Sequence, residues 1–250
     1  MRFEGRNVLV TGGARGIGMA IAAAFLAGPE LLETIEVDLA EPGAASRLGG
    51  LAEDAIGPLD VLVNNAGLMS QVPVLEISEA DWDRLFAVNL RATFFLTQAV
   101  AARMAERRRG SVVSIASVNA LRTESPEAHY NASKAGIVAI MRSFANELSH
   151  LGLRFNCVAP GETVSAAEAA EYTDEDRART REYLLRVPLR RVSRPDEQAR
   201  VVLFLASDDA SYVNGHSIVA DGGELTGDWY DTARRPPVPE RLEGLEQDDG

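Results

Sequence analysis

The chain has 250 residues, of which 46% are hydrophobic, with 37 acidic against 25 basic side chains and a formal charge of −12. That length and apolar content suit one large α/β domain, and the acidic balance argues against a nucleic-acid or anionic-membrane surface, which needs basic excess. A single cysteine, Cys157, excludes an internal disulfide and reads as a buried thiol in a strand-like run. No signal peptide precedes the first strand, no apolar stretch reads as membrane-spanning, and no Cys/His cluster has metal spacing, so a cytoplasmic, metal-free protein is expected.

In chain order, residues 7–11 read as a buried strand that runs into Gly12-Gly-Ala-Arg-Gly-Ile-Gly18 and then into a helix over 16–27. Strand, glycine turn and helix is the context that makes such a motif a phosphate site, because the backbone can approach a pyrophosphate and the helix N-terminus faces its charge. Further strands are predicted at 34–38, 59–64, 111–116, 153–159 and 217–220, with helices at 43–55, 79–108, 130–151 and 195–207. Apolar strands alternating with helices mean a parallel, doubly wound sheet. Residues 162–187 interrupt the alternation with a polar, partly helical insert. After Gly223 the pattern fails, and residues 228–250 read as a poorly ordered tail whose Trp229 and Tyr230 could pin its start. The domain boundaries expected are therefore 1–227 and 228–250. His129 reads as a helix-surface residue or a site-lining one, and Arg107–Arg109 as a cationic helix cap.

The most informative run is Tyr130-Asn-Ala-Ser-Lys134, with Ser117 thirteen positions before the tyrosine. Tyrosine and lysine at i and i+4 share a helix face. A fixed ammonium favours the anion of a phenol that otherwise titrates near pH ~10, and a serine hydroxyl can hold the oxygen that the phenol protonates. These parts make a proton-transfer device for a carbonyl or an alcohol.

Five motifs in order then carry a family resemblance: Thr11–Gly18, Asn64-Asn-Ala-Gly67, Tyr130-x-x-x-Lys134, Pro160-Gly161 and Asp221-Gly-Gly223. The chain resembles a short-chain dehydrogenase/reductase. The resemblance implies a single-domain Rossmann-like fold and catalysis by Asn89, Ser117, Tyr130 and Lys134. Asn89 would kink its helix and hold a water behind the lysine. Tyr130 would be the acid in reduction and the base in oxidation, and Lys134 would lower its pKa and bind the nicotinamide ribose. It also implies NAD or NADP as cofactor, held by Gly12, Arg15, Ile17 and Gly18 at the pyrophosphate, by Asn64, Ala66 and Gly67 beneath the riboses, and by Pro160, Gly161 and Thr163 at the carboxamide. Ser165 stands where many relatives place a threonine against the pyrophosphate. The 162–187 insert would be the substrate lid. A homodimer or homotetramer is the usual assembly, compatible with apolar residues such as Phe94, Phe95, Leu96, Ile137, Ile140 and Met141.

The chain departs from the family between Gly18 and Asn64. One strand–helix unit needs roughly 25 residues, and residues 28–63 hold only one strand besides that entering Asn64, so one β–α unit is missing. Asp38 then ends either the second strand, 20 positions after Gly18 where an acid holds the adenosine ribose, or the family's third strand, or merely caps a strand or the next helix. A short crossover should set 34–38 beside the first strand, giving six strands in the order 2-1-3-4-5-6. Asp38 would favour NAD, while Arg15 is of the type that holds a 2′-phosphate. The function expected is therefore an NAD(P)-dependent oxidoreductase of a ketone/secondary-alcohol pair. The alternatives are a non-redox acid/base enzyme of the same fold (dehydration, cyclisation, epimerisation or retro-aldol) and a non-enzymatic binding protein.

Overall fold

The computed structural model describes residues 3–26, 32–227 and 236–238. Its sheet has five parallel strands in chain order: β1 (Val8–Val10), β2 (Val61–Asn64), β3 (Gly110–Ile115), β4 (Leu153–Pro160) and β5 (Ser217–Ala220). The register pairs Val8 with Val61, Val61 with Ser111, Gly110 with Leu153 and Cys157 with Ser217. The central strands are apolar runs buried on both faces, as a parallel sheet between helix layers requires.

Helices α1 (Gly16–Phe25) and α8 (Pro195–Ala206) cover one face, where Ile21, Phe25, Val202 and Leu205 meet Val61, Val63, Val113 and Val158. On the other face, α2 (Ala44–Ile56), α4 (Ala92–Arg107) and α5 (Ala128–Leu148) bring Leu48, Leu96, Val100, Met104 and Met141 against Leu62, Val112 and Phe155. Cys157 is buried in this core, and burial pushes its thiol up to about 12. Helix α3 (Glu79–Phe86) starts with a Ser78–Asp81 capping box and continues through a π-helical turn, Ala87–Arg91, into α4. The continuous Glu79–Arg107 rod is long and apolar enough to cross a membrane by length and composition, contrary to the sequence expectation, but half of its apolar window is buried inside the fold. That is the setting of a core helix.

The expected strand at 34–38 does not form, so the sheet has five strands rather than six among the described residues, and β1 is its edge. The reason lies in its side chains. Glu36 and Asp38 are exposed, Ile35 is 36% exposed, and only Val37 and Leu39 reach the α2–α4 core. An outer strand with so little to bury on either face gains little from pairing. The residues expected as a tail, including Trp229 and Tyr230, lie outside those described, apart from 236–238, where Val238 packs beneath the insert.

Each end of α8 is tied down. Arg154 on β4 donates to the carbonyls of Leu205, Ala206, Ser207 and Ala210 at 2.7–3.4 Å, which satisfies the helix C-terminus. Glu197 in its first turn takes both Arg191 guanidinium nitrogens, at 2.7 and 2.8 Å, and the Arg194 N–H at 2.9 Å. Arg191 thereby pulls the Glu197 carboxyl down to about 2. A folded pKa below the unfolded value means stability that is full above that unfolded value and is lost as pH falls through about 2. We predict that Glu197→Gln costs on the order of 1 kcal/mol at pH 7 and much less at pH ~2.5; urea unfolding at the two pH values checks this, and an equal cost at both would disprove the linkage.

Candidate active site

The C-terminal ends of the strands converge on a cavity of ≈ 1270 Å³ roofed by the insert, in which α6 (Ala166–Ala170) and α7 (Asp174–Leu184) are helical. Ser117, just past β3, enters its wall, as do Tyr130 and Lys134 from α5. Ile17, Gly67, Pro160, Gly161 and Thr163 also line it. The predicted serine, tyrosine and lysine thus share one chamber.

Lys134 is buried, and its Nζ donates to the Ile115 carbonyl at the end of β3, at 2.9 Å. Burial lowers its pKa to about 8, so the ammonium persists at neutral pH. Its Nζ lies 5.6 Å from the centre of the Tyr130 ring. Burial also pushes the Tyr130 phenol up to about 12, against the lowering effect of the Ser117 hydroxyl. The expected net acidification of the tyrosine is not what this cavity shows: desolvation of the phenolate outweighs the Ser117 hydrogen bond, and the charge of Glu127 adds to the rise.

Asn89 sits in the π-helical turn, fully buried. Its amide takes Leu68 N–H at 2.7 Å and donates to Leu68 O at 2.9 Å and to the Ser133 hydroxyl at 3.1 Å. It therefore clamps the loop after Gly67 to the helix that carries Tyr130 and Lys134. The local helix distortion expected at Asn89 is present, and its carbonyl accepts the Thr93 hydroxyl at 2.8 Å.

Around the glycine turn, Gly12 has φ +65° and approaches Ala66, while a Cβ on Gly18 would lie 2.1 Å from Gly12 O. Helix α1 carries no acid in its first turn, and exposed Arg15 is its N-cap residue. Thr11 Oγ1 accepts from Asn65 N and Ala66 N, both at 3.0 Å. Asn65 Nδ2 returns bonds to Thr11 O and Gly12 O, at 3.0 and 3.2 Å. Asn65, rather than Asn64, is thus the asparagine that shapes the turn, and it was legible only as part of its motif. Asn64 instead points its amide inward, at 2.9 Å to Thr97 and 3.0 Å to Ser114, so its side chain is not available to a ribose.

Other expectations are also revised. Asp38 turns its carboxylate onto Ala40 N at 2.8 Å and is a local cap with no strand beneath it. His129 is fully buried and outside the cavity wall; neither ring nitrogen has a hydrogen-bond partner among the described residues. Ser165 spends its hydroxyl on a capping box with Glu168 at the start of α6. The arginines at the end of α4 do more than cap it: Arg107 donates to Leu59 O at 2.8 Å, Arg108 to His150 O at 2.8 Å, and Arg109 pairs with Asp60 at 3.5 Å.

Comparison with known proteins places the chain in a family. The family model described as "Enoyl-(Acyl carrier protein) reductase" matches residues 27–224. The chain belongs to the short-chain dehydrogenase/reductase family. It is 36% identical to the 3-oxoacyl-(acyl-carrier-protein) reductase FabG of Thermotoga maritima, over 89% of this chain and 99% of the relative. It is 35% identical to the reductase MabA of Mycobacterium tuberculosis, over 88% and 93%. Among solved structures, a putative NAD(P)-dependent gluconate 5-dehydrogenase from Beutenbergia cavernae, with bound NADP, superposes with a TM-score of 0.82 at 33% identity, covering 89% of this chain and 98% of its own. A 3-oxoacyl (acyl-carrier-protein) reductase from Agrobacterium tumefaciens, with NADP bound, gives 0.81 at 31%, covering 88% and 94%. The Thermotoga alignment runs over 249 residues yet covers only 89% of a 250-residue chain, so that relative carries residues this dehydrogenase/reductase lacks.

One contact at the glycine turn has no forerunner in the sequence reading. A carbon added at Gly16 would sit 4.0 Å from a Glu168 carboxylate oxygen. The insert thus holds an anion over the positive end of α1, where a pyrophosphate would compete with it. Glu168→Gln is predicted to tighten dinucleotide binding about three- to tenfold, the equivalent of roughly 1 kcal/mol of like-charge repulsion. Calorimetric titration with NADPH checks this, and unchanged or weaker binding would show that the acid does not oppose the ligand.

Proposed function

We propose that this chain is a nicotinamide-dependent ketoreductase, reducing a ketone or oxidising the matching secondary alcohol. The observation that carries the reading is the meeting of Ser117, Tyr130 and Lys134 in one chamber that also reaches the glycine turn through Ile17. The residues fit a dinucleotide at its nicotinamide and pyrophosphate half: Gly18 leaves no room for a side chain beside Gly12, and α1 has no acid of its own in its first turn, the Glu168 carboxylate of the insert being the group a pyrophosphate would displace. Gly12, Arg15, Ile17 and Gly18 would hold the pyrophosphate, Gly67 and Lys134 the nicotinamide ribose, and Gly161 and Thr163 the carboxamide. The names and bound ligands of the relatives support NAD or NADP. On the adenosine side, the deletion expected between Gly18 and Asn64 supports reduced contact, with Asp38 committed to its own turn. When bound, the nicotinamide supplies the hydride.

The protein supplies the rest. Ser117 holds the carbonyl oxygen by donating its hydroxyl hydrogen. Tyr130, fully protonated at neutral pH with its phenol near 12, gives its proton to that oxygen as it becomes an alkoxide. The Lys134 ammonium stabilises the phenolate left behind, in a setting where burial makes the charge interaction strong. Asn89 and Ser133 keep the lysine-bearing helix in register with the Gly67–Leu68 loop. Residues 162–187 act as the lid, with Tyr183 and Arg186 latched to Glu224 and Glu124. A non-redox acid/base step would use the same three side chains, and micromolar dinucleotide affinity by calorimetry disposes of its cofactor-free version.

Assembly through α4 and α5 is part of the same proposal. Phe95 and Trp82 are each 42% exposed beside a groove of ≈ 520 Å³ lined by Phe86, Leu90, Phe94 and Ile140, and a second copy would cover it. Sedimentation velocity should find a dimer or tetramer at micromolar concentration, and a monomer would overturn this part. For the chemistry, Tyr130→Phe is predicted to lower kcat at least 10²-fold while leaving dinucleotide affinity within about twofold. Reduction by the unaltered enzyme should fall as pH rises through about 8, because the buried Lys134 then loses its charge. Steady-state rates from pH 6 to 10 read both effects, and a phenylalanine variant that retains turnover would overturn the assignment of Tyr130.

A further inference from the structure

The cavity wall beyond Gly161 carries a carboxylate that the proton relay does not use. Glu162 follows the Pro160-Gly161 turn off β4, and its backbone is fixed on both sides. Its N–H donates to the Tyr183 hydroxyl at 3.1 Å, and its carbonyl accepts from Ser193 N at 2.9 Å. Strand and lid together therefore hold it against the chamber that contains Ser117 and Tyr130.

Its carboxylate has no hydrogen-bond donor among the described residues, whereas each of the three acids whose charge acts on it has one. Glu127 accepts from Gln71 and Asn119, at 2.9 and 2.7 Å. Glu124 pairs with Arg186, and Glu224 with Arg122 and the Tyr183 hydroxyl. Arg186, the cation that acts on Glu162, is thus already engaged by Glu124 and lies over the Tyr183 ring at 5.3 Å. Glu124, Glu127 and Glu224 all add negative potential at the same place. A partly buried carboxylate with no donor, set among like charges, is complementary to a ligand that brings a positive charge.

We infer that Glu162 is a specificity-determining residue, and that the substrate is a ketone or secondary alcohol bearing an ammonium group, which pairs with Glu162 while the reacting oxygen lies on Ser117 and Tyr130. The inference rests on the carbonyl-reducing reading above and narrows it. A substrate whose carrier brings a phosphate to this wall would meet the wrong sign of charge. Burial and the neighbouring acids also push the Glu162 carboxyl up to about 7. Part of the empty protein is therefore protonated there at neutral pH, and an arriving ammonium would expel that proton.

The test uses phenyl-substituted secondary alcohols that carry an ammonium, a methyl or a carboxylate at one position. Each is titrated calorimetrically at pH 7 into the dinucleotide-saturated protein, in buffers of different ionisation enthalpy. The ammonium compound should bind at least tenfold more tightly than the methyl compound and release protons on binding, and the carboxylate should bind most weakly. Glu162→Gln should abolish both the preference and the proton release while still binding the methyl compound, and Glu162→Asp should keep the order of preference. Equal or weaker binding of the ammonium compound by the unaltered protein, or a glutamine variant that keeps the preference, overturns the inference. Turnover of the matching ketones separates the two levels. Reduction of neutral ketones with no advantage for the ammonium ketone sinks the inference and leaves the reductase standing. Failure to oxidise NADH or NADPH with any ketone sinks the reductase reading and the inference with it.

Discussion

An ammonium kept out of water, with one backbone carbonyl for a hydrogen-bond partner, sets the terms for this site. Lys134 reaches from α5 to the last carbonyl of β3, so the position of its charge is fixed jointly by a strand end and a helix face. Such a group is costly to bury, and a hydrogen-bonded shell surrounds it. Asn89 bridges the Leu68 backbone to Ser133, one residue before the lysine, and Asn65 and Thr11 lock the adjoining glycine turn. Remove the lysine's charge and the phenol keeps the Ser117 hydrogen bond but loses the cation 5.6 Å from its ring. Burial, helped by the charge of Glu127, has already moved the phenol to about 12, so in this chamber the tyrosine is a proton donor first.

The parts of the molecule that were legible in the sequence are those in which chemistry constrains spacing. Tyr130 and Lys134 had to share a helix face, Gly18 had to leave room for Gly12, and Ser117 had to follow a strand; all of them arrive where the motifs placed them. The buried central strands were legible for a similar reason, since a run such as 61–64, covered on both faces, can hardly be polar.

Where the sequence misled, partners supplied by the rest of the fold decided the outcome. Residues 34–38 alternate like a strand, but pairing at a sheet edge needs two faces to cover, and only Val37 found a core. Asn64 and Asp38 are residue types that could serve a nucleotide, yet Thr97, Ser114 and Ala40 N took their polar atoms first. His129 next to Tyr130 gave no sign of being fully buried. Glu162 was invisible for the opposite reason: its distinction is a missing donor, and that depends on Arg186 choosing Glu124 across the lid.

The π-helical turn at Ala87–Arg91 has a further consequence. An α-helix advances about 100° per residue, so one residue of widened turn rotates everything before it by that angle relative to α4. Shortening this stretch by a single residue would restore an even spiral and keep the apolar stripe of α4 on the sheet, while swinging α3 around the rod's circumference and pulling the Asn89 amide off Leu68. The rod therefore carries two orientations, one set by the hydrophobic core and the other by the chemistry, and the extra residue is the joint between them.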